Sequence, residues 1–115
     1  MKYILMHNLE ENIKAKTLKK YIEEDYKIIY EDKQNTIITN DKEKIIDEDT
    51  YIKITISTLK RNELINKSKG KIIDITKAFE YAKTKKEYDK FKNKFDWHIR
   101  NIITKEIINS ASSSC

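Results

Sequence analysis

Two histidines, an acidic run and a field of lysines are the residues of this 115-residue chain whose types could do chemistry. His7 follows the apolar run Tyr3 to Met6. Imidazole titrates near neutrality, so a histidine at a strand end that opens into a cleft could serve as a general base. It would need a neighbouring carboxylate or hydroxyl, and the sequence identifies none, so His7 is a weak catalytic candidate. His98 falls on the helical arc of Tyr88, Phe91, Phe95, Ile99 and Ile102. It is expected to pack at the edge of a core with one ring nitrogen hydrogen-bonded. Asp41, Glu43, Asp47, Glu48 and Asp49 could offer oxygen ligands to a divalent cation. They lack the glycine and the fixed ligand spacing of an EF-hand loop, and a solvated acidic loop is expected instead. Cys115 is the sole cysteine, with no neighbour placed to activate its thiol. The chain contains no Gly-x-Gly-x-x-Gly, no Walker-type phosphate loop, no Gly-x-Ser-x-Gly and no His-Glu-x-x-His. No cofactor and no metal site is expected.

The basic residues are more suggestive. Residues 1–50 hold nine Lys and Arg against twelve Asp and Glu, net −3, whereas residues 51–115 hold fifteen against seven, net +8. Lys60, Arg61, Lys67, Lys69 and Lys71 form one basic group, and Lys85, Lys86, Lys90 and Lys94 belong to a second. Placed side by side, these would make a patch able to meet phosphates or an acidic protein. Of the 24 basic residues only Arg61 and Arg100 are arginine, the usual choice for bidentate phosphate or base contacts. A coding bias towards Lys and Ile would also produce many lysines without any functional pressure. Tyr26, Tyr30 and Tyr51 could stack on unpaired bases beside Lys27 and Lys53. Tyrosine is also a strong strand former and an edge-of-core residue, and that role is expected first.

The elements that must position these groups follow from periodicity. Tyr3 to Met6 reads as a strand, and Asn8 as the cap of a helix from Leu9, with Glu11 at the capping-box position. Leu9, Ile13, Leu18 and Ile22 make its apolar stripe, with Tyr21 beside them. Residues 26–31 and 36–39 read as a hairpin across a polar turn. Residues 51–59 read as a strand, with Ile52, Ile54 and Ile56 on one face. Residues 71–75 form a further short strand or an extended approach to the last helix. Residues 76–110 are helical, breaking near Thr84, where Thr84 and Glu87 repeat the capping-box spacing. Trp97 and Ile108 project away from the Phe91–Phe95–Ile102 stripe. Together with Ile103 and Ile107 they leave the last helix more apolar than its own core requires, which marks an interface with Trp97 as anchor.

The expected architecture is α+β: an antiparallel sheet of about four strands packed on one face by an N-terminal helix and a long, broken C-terminal helix. One domain is expected over residues 1–109, with a disordered tail over 110–115. A split β-α-β arrangement is compatible with the pattern but not required by it. No apolar stretch is long enough to span a membrane and residues 1–6 are too short for a signal peptide, so no membrane association and a cytoplasmic location are expected. The function expected first is non-enzymatic: binding of a protein partner, or of a second copy as a homodimer, through the basic surface and the last helix. An inhibitor or regulator carried by a virus or mobile element would fit the size. A nucleic-acid-binding protein of low sequence specificity is the second reading, and a small enzyme using His7 the third.

Overall fold

A computed structural model of the chain describes residues 2–45, 47–61, 70–80 and 84–113, with side chains described as far as residue 103. Its contacts gather into two compact units, one of residues 1–42 and 69–76, the other of residues 43–68 and 77–115. The fold is α+β, built on a four-stranded antiparallel sheet with helices.

The first unit holds the sheet. Strand β1 (Tyr3–His7) leads through helix α1 (Glu11–Glu23) to β2 (Lys27–Glu31), β3 (Asn35–Thr39) and later β4 (Lys71–Asp74). The strand order is β2-β3-β1-β4, with every neighbouring pair antiparallel. β1 and β2 therefore run parallel with β3 inserted between them, which is the split β-α-β arrangement. The central strands β1 and β3 are buried at every position, while the edge strand β2 is largely open. On one face Ile4, Met6, Tyr26 and Ile38 form a core against Leu9, Leu18 and Tyr21. Ile13 and Ile22, expected on that stripe, are instead 50% and 53% exposed. The face α1 turns to the sheet carries Lys14, which reaches Glu31 on β2 at 3.3 Å.

Both ends of α1 depart from the commonest caps. Asn8 sits at φ 52°, in the left-handed region, whereas an N-cap takes extended angles. The N-cap is Glu10, with φ −57° and ψ 142° and no side-chain cap bond, so the expected capping by Asn8 is corrected. At the other end the Tyr26 amide donates to the Tyr21 carbonyl at 3.1 Å and the Asp25 amide to that of Ile22 at 3.1 Å. This is the double bond of a Schellman motif. Asp25 fills the left-handed position, at φ 66°, that glycine usually takes. The accompanying apolar contact is aromatic, with the Tyr21 and Tyr26 rings edge-on at 4.8 Å.

The second unit is helical. Residues 48–61 form helix α2 (Glu48–Arg61), not the strand expected over 51–59. The isoleucines fit both periods, and packing selects the helical one. Ile52, Thr55, Ile56 and Leu59 recur at the helical spacing i, i+3, i+4, i+7, and all four are buried, whereas Ile54 is only half-buried. Helix α3 (Thr76–Phe79) and helix α4 (Lys85–Ser113) follow. The break between them is where the sequence put it. The Glu87 amide donates to Thr84 Oγ1 at 3.2 Å, and the Thr84 amide donates to Glu87 Oε2 at 3.0 Å, a reciprocal capping box.

The core of this unit is aromatic. Tyr51 stacks on Phe95 with ring centroids 3.9 Å apart, and Phe79 meets both rings edge-on. The Tyr51 hydroxyl has no hydrogen-bond partner among the described residues, and burial, aided by Tyr88, Asp47 and Glu87, pushes its pKa up to about 12. Ile45 from the acidic segment is also buried. Residue 46 and residues 114 and 115 lie outside the described residues, and α4 is assigned through Ser113, into the segment expected as a tail.

Candidate interaction surface

The geometry divides the chemistry-bearing residues into a satisfied group on the sheet and an exposed group on α4. On the sheet, the β1–β3 register sets His7 opposite Asn35. Asp32 holds the turn before β3, accepting the amides of Gln34 at 2.8 Å and Asn35 at 2.7 Å and the Tyr30 hydroxyl at 2.7 Å. A carboxylate only accepts, so the 3.3 Å contact from Asn35 Nδ2 is a donation to it. Asn35 therefore presents its Oδ1 to His7 Nδ1 at 2.6 Å, and that nitrogen must carry the proton. The remaining Nε2 lone pair accepts from Asn8 Nδ2 at 3.3 Å.

These bonds tune the neighbouring groups. Burial pushes the Asp32 pKa up, but the bonds from Tyr30, Gln34 and Asn35 together outweigh it and hold the carboxyl below its ordinary value. The same bond raises the pKa of Tyr30, assisted by burial and by the charge of Asp32. His7 is only 4% exposed. The carboxylate its catalytic role would require is present as Asp32, one amide removed. Both imidazole nitrogens are engaged by asparagine side chains, Nδ1 by Asn35 and Nε2 by Asn8.

The acidic run is scattered in role. Asp41 is buried and accepts from the Tyr3 hydroxyl at 3.1 Å, while Asp47 and Asp49 are exposed. Among the described residues no three His, Cys, Asp or Glu side chains come together as a metal site. His98 is half-buried on α4, edge-on to Trp97 at 5.0 Å. Burial lowers its pKa, and Lys77 and Lys94 lower it further.

The two basic groups have different standing. Lys67 and Lys69 lie outside the described residues, and Lys71 belongs to β4. Lys60 and Arg61 end α2, where Arg61 is bound to Asp96 at 3.0 Å. Lys85, Lys86, Lys90 and Lys94 are all exposed on α4. At 100° per residue Lys86, Lys90, Trp97, Asn101 and Lys94 fall within one arc of about 80°. Trp97 is 57% exposed within that arc, between Lys86 and Lys90. The Nζ atoms of Lys90 and Lys94 each stand 5.3 Å from the Phe91 ring centroid at its border.

The opposite face of α4 carries Phe95, Ile99 and Ile103, all fully buried. Ile103 is thus a core residue and not the interface residue expected from the sequence. The side chains of Ile107 and Ile108 lie outside the described residues. Among the described residues no helix is long and apolar enough to cross a membrane. No protein-family model matches the chain, and neither a curated protein nor a solved structure matches it significantly.

Proposed function

We propose that this chain is a non-enzymatic binding protein that docks an acidic protein partner through the outer face of α4. The observation that carries this reading is Trp97, 57% exposed and flanked on the same face by the exposed Lys86, Lys90 and Lys94. Tryptophan is the commonest anchor of protein interfaces, because it buries a large rigid surface at small entropic cost. The lysines around it would form a cationic rim that steers an acidic surface into place.

The same observations weigh between partners. Binding of unpaired nucleic acid needs a succession of exposed aromatic platforms. Tyr3, Tyr26 and Tyr51 are buried, and the hydroxyl of the half-buried Tyr30 is bound to Asp32. Among the described residues Trp97 is the only aromatic side chain among the large exposed hydrophobics. A homodimer through this face would bring both sets of lysines together, which opposes association. An acidic heterologous partner, held as an inhibitor or regulator would hold it, meets neither objection.

The test is affinity capture from the native host with the wild-type chain, beside Trp97→Ala and a Lys86→Gln, Lys90→Gln, Lys94→Gln triple variant. A specific acidic protein retained by the wild type and lost from both variants is the expected outcome. Light scattering reads self-association in the same samples. A tight, salt-resistant complex with one type of nucleic acid in a gel-shift panel would overturn the reading.

A further inference from the structure

A second feature of the helical unit lies on a different face of α4 from Trp97. Between α2 and α4 runs a groove of about 470 Å³, within the range of small-molecule sites. Its cations are Lys53 and Arg61 from α2 and Lys92 from α4, and its one carboxylate is Asp96. That carboxylate is already spent. It accepts from Arg61 at 3.0 Å, from Arg100 at 2.6 Å and from the Thr58 hydroxyl at 3.3 Å. Neither Lys53 nor Lys92 has an ion-pair partner among the described residues. The groove therefore holds a surplus of positive charge.

The rest of the lining fits the two halves of an amphipathic anion. Thr50 and Ser57 bring hydroxyls along the α2 side, able to donate to phosphate oxygens. Ile54 and the ring of Tyr88 bring an apolar wall. Tyr88 is itself backed by the Tyr51 ring, with centroids 5.4 Å apart. Tyr51 is stacked on Phe95 in turn, so this wall rests on the aromatic core. A bare inorganic anion would use the cations and leave the wall idle, and a neutral apolar molecule would leave the two ammonium groups unanswered.

We infer that the groove between α2 and α4 is a binding site for a small phosphomonoester: its phosphate between Lys53 and Lys92, its flat organic body against Ile54 and Tyr88. Arg61, tied to Asp96, serves as a fixed positive charge at the end of the groove. The site is independent of the docking face, because Trp97 and Lys86, Lys90 and Lys94 do not line it.

The experiment is titration calorimetry of the full chain at low ionic strength, with adenosine monophosphate as the probe and adenosine and inorganic phosphate as its two halves. Adenosine monophosphate is expected to bind more tightly than either half. A Lys53→Gln, Lys92→Gln double variant is expected to weaken it by about tenfold or more, the loss of charge-assisted contacts. Both lysines are exposed, so the double variant should melt with the wild type. Trp97→Ala should bind the nucleotide unchanged, which separates this site from the docking face. Equal affinity of the double variant and the wild type would overturn the site, as would no heat up to about 10 mM nucleotide. Inorganic phosphate binding as tightly as the nucleotide would overturn the role given to Ile54 and Tyr88.

Discussion

The end of the sheet around His7 and the outer face of α4 both concentrate polar and aromatic groups, and they treat them in opposite ways. Around His7 the groups are answered from within: Asp32 orients Asn35, Asn35 sets the imidazole tautomer, and Asn8 closes the remaining nitrogen. Around Trp97 the ring and the neighbouring ammonium groups face outward. A buried polar group left unpaired costs stability, so a fully paired network of this kind specifies a structure. An exposed indole in a field of like charges adds little to folding, and its use lies in what it meets. The presence of a histidine and a carboxylate near one another is thus a poorer guide to function than whether their bonding capacity is already filled.

The largest expected effect lies beside the filled region. Gly70 is the sole glycine of the chain, and a Cβ added there would stand 2.3 Å from the Asn8 carbonyl oxygen and 2.5 Å from Leu9 Cα. Those are backbone atoms, which cannot swing aside as a flexible side chain would. Gly70→Ala should destabilise the fold by about 3 kcal/mol, the cost of forced overpacking, as read by denaturant titration. A near-neutral result would mean that the Asn8 segment moves easily, and the region would lose its claim to rigidity.

Next in size is the centre of the network. Asn35→Ala strips the buried His7 Nδ1 of its partner and takes one donor from Asp32 Oδ2, which keeps the Tyr30 hydroxyl, and should cost about 2 kcal/mol. Asp32 then sharpens the comparison through pH. Its folded pKa lies below the ordinary carboxylate value, so it stabilises the fold fully above that value. The contribution is lost as the pH falls through the folded pKa. Asp32→Asn should therefore lower stability at neutral pH and flatten the acid limb of the stability curve, measured as melting temperature against pH. An acid limb unchanged in the variant would show that Asp32 is no more tightly held than an exposed carboxylate.

The difference between these regions was only half legible in the sequence. Elements marked by local chemistry came through, such as the Thr84–Glu87 capping box, the hairpin of β2 and β3, and the short β4. Residues 51–59 did not, because Ile52 and Ile56 satisfy a period of two and a helical repeat at once. Only tertiary packing on Tyr51, Thr55 and Leu59 decides between them. Asn8 carries a real signal, but its side chain is drawn to His7 and is lost to the helix it precedes. The partner His7 needed lies 28 residues away and is supplied by strand register, which no local spacing encodes. The Asp32–Asn35 turn was its visible half. On α4 Trp97 was legible as an outward residue. Ile103 was misplaced because it continues the Phe95–Ile99 spacing of four as readily as Ile102 continues the wider stripe.

The smallest effect on stability is expected at Trp97, and it is the most decisive. Trp97→Ala removes a side chain that is 57% exposed and that meets the neighbouring His98 ring edge-on. Substitutions of this kind usually change stability by less than about 0.5 kcal/mol. Thermal melting of the variant should therefore overlay that of the wild type. Affinity for the docked partner should fall by about thirtyfold or more, as expected when an interface anchor is truncated. Neutralising Lys86, Lys90 and Lys94 should act differently, slowing association and weakening its salt dependence while leaving dissociation nearly unchanged. Stopped-flow or surface-resonance kinetics would separate the two. If Trp97→Ala instead lowered stability by more than about 1 kcal/mol, the indole would belong to the fold's own packing. The outer face of α4 would then be filled from within, as the sheet end is, and the docking role would fall with the contrast that supports it.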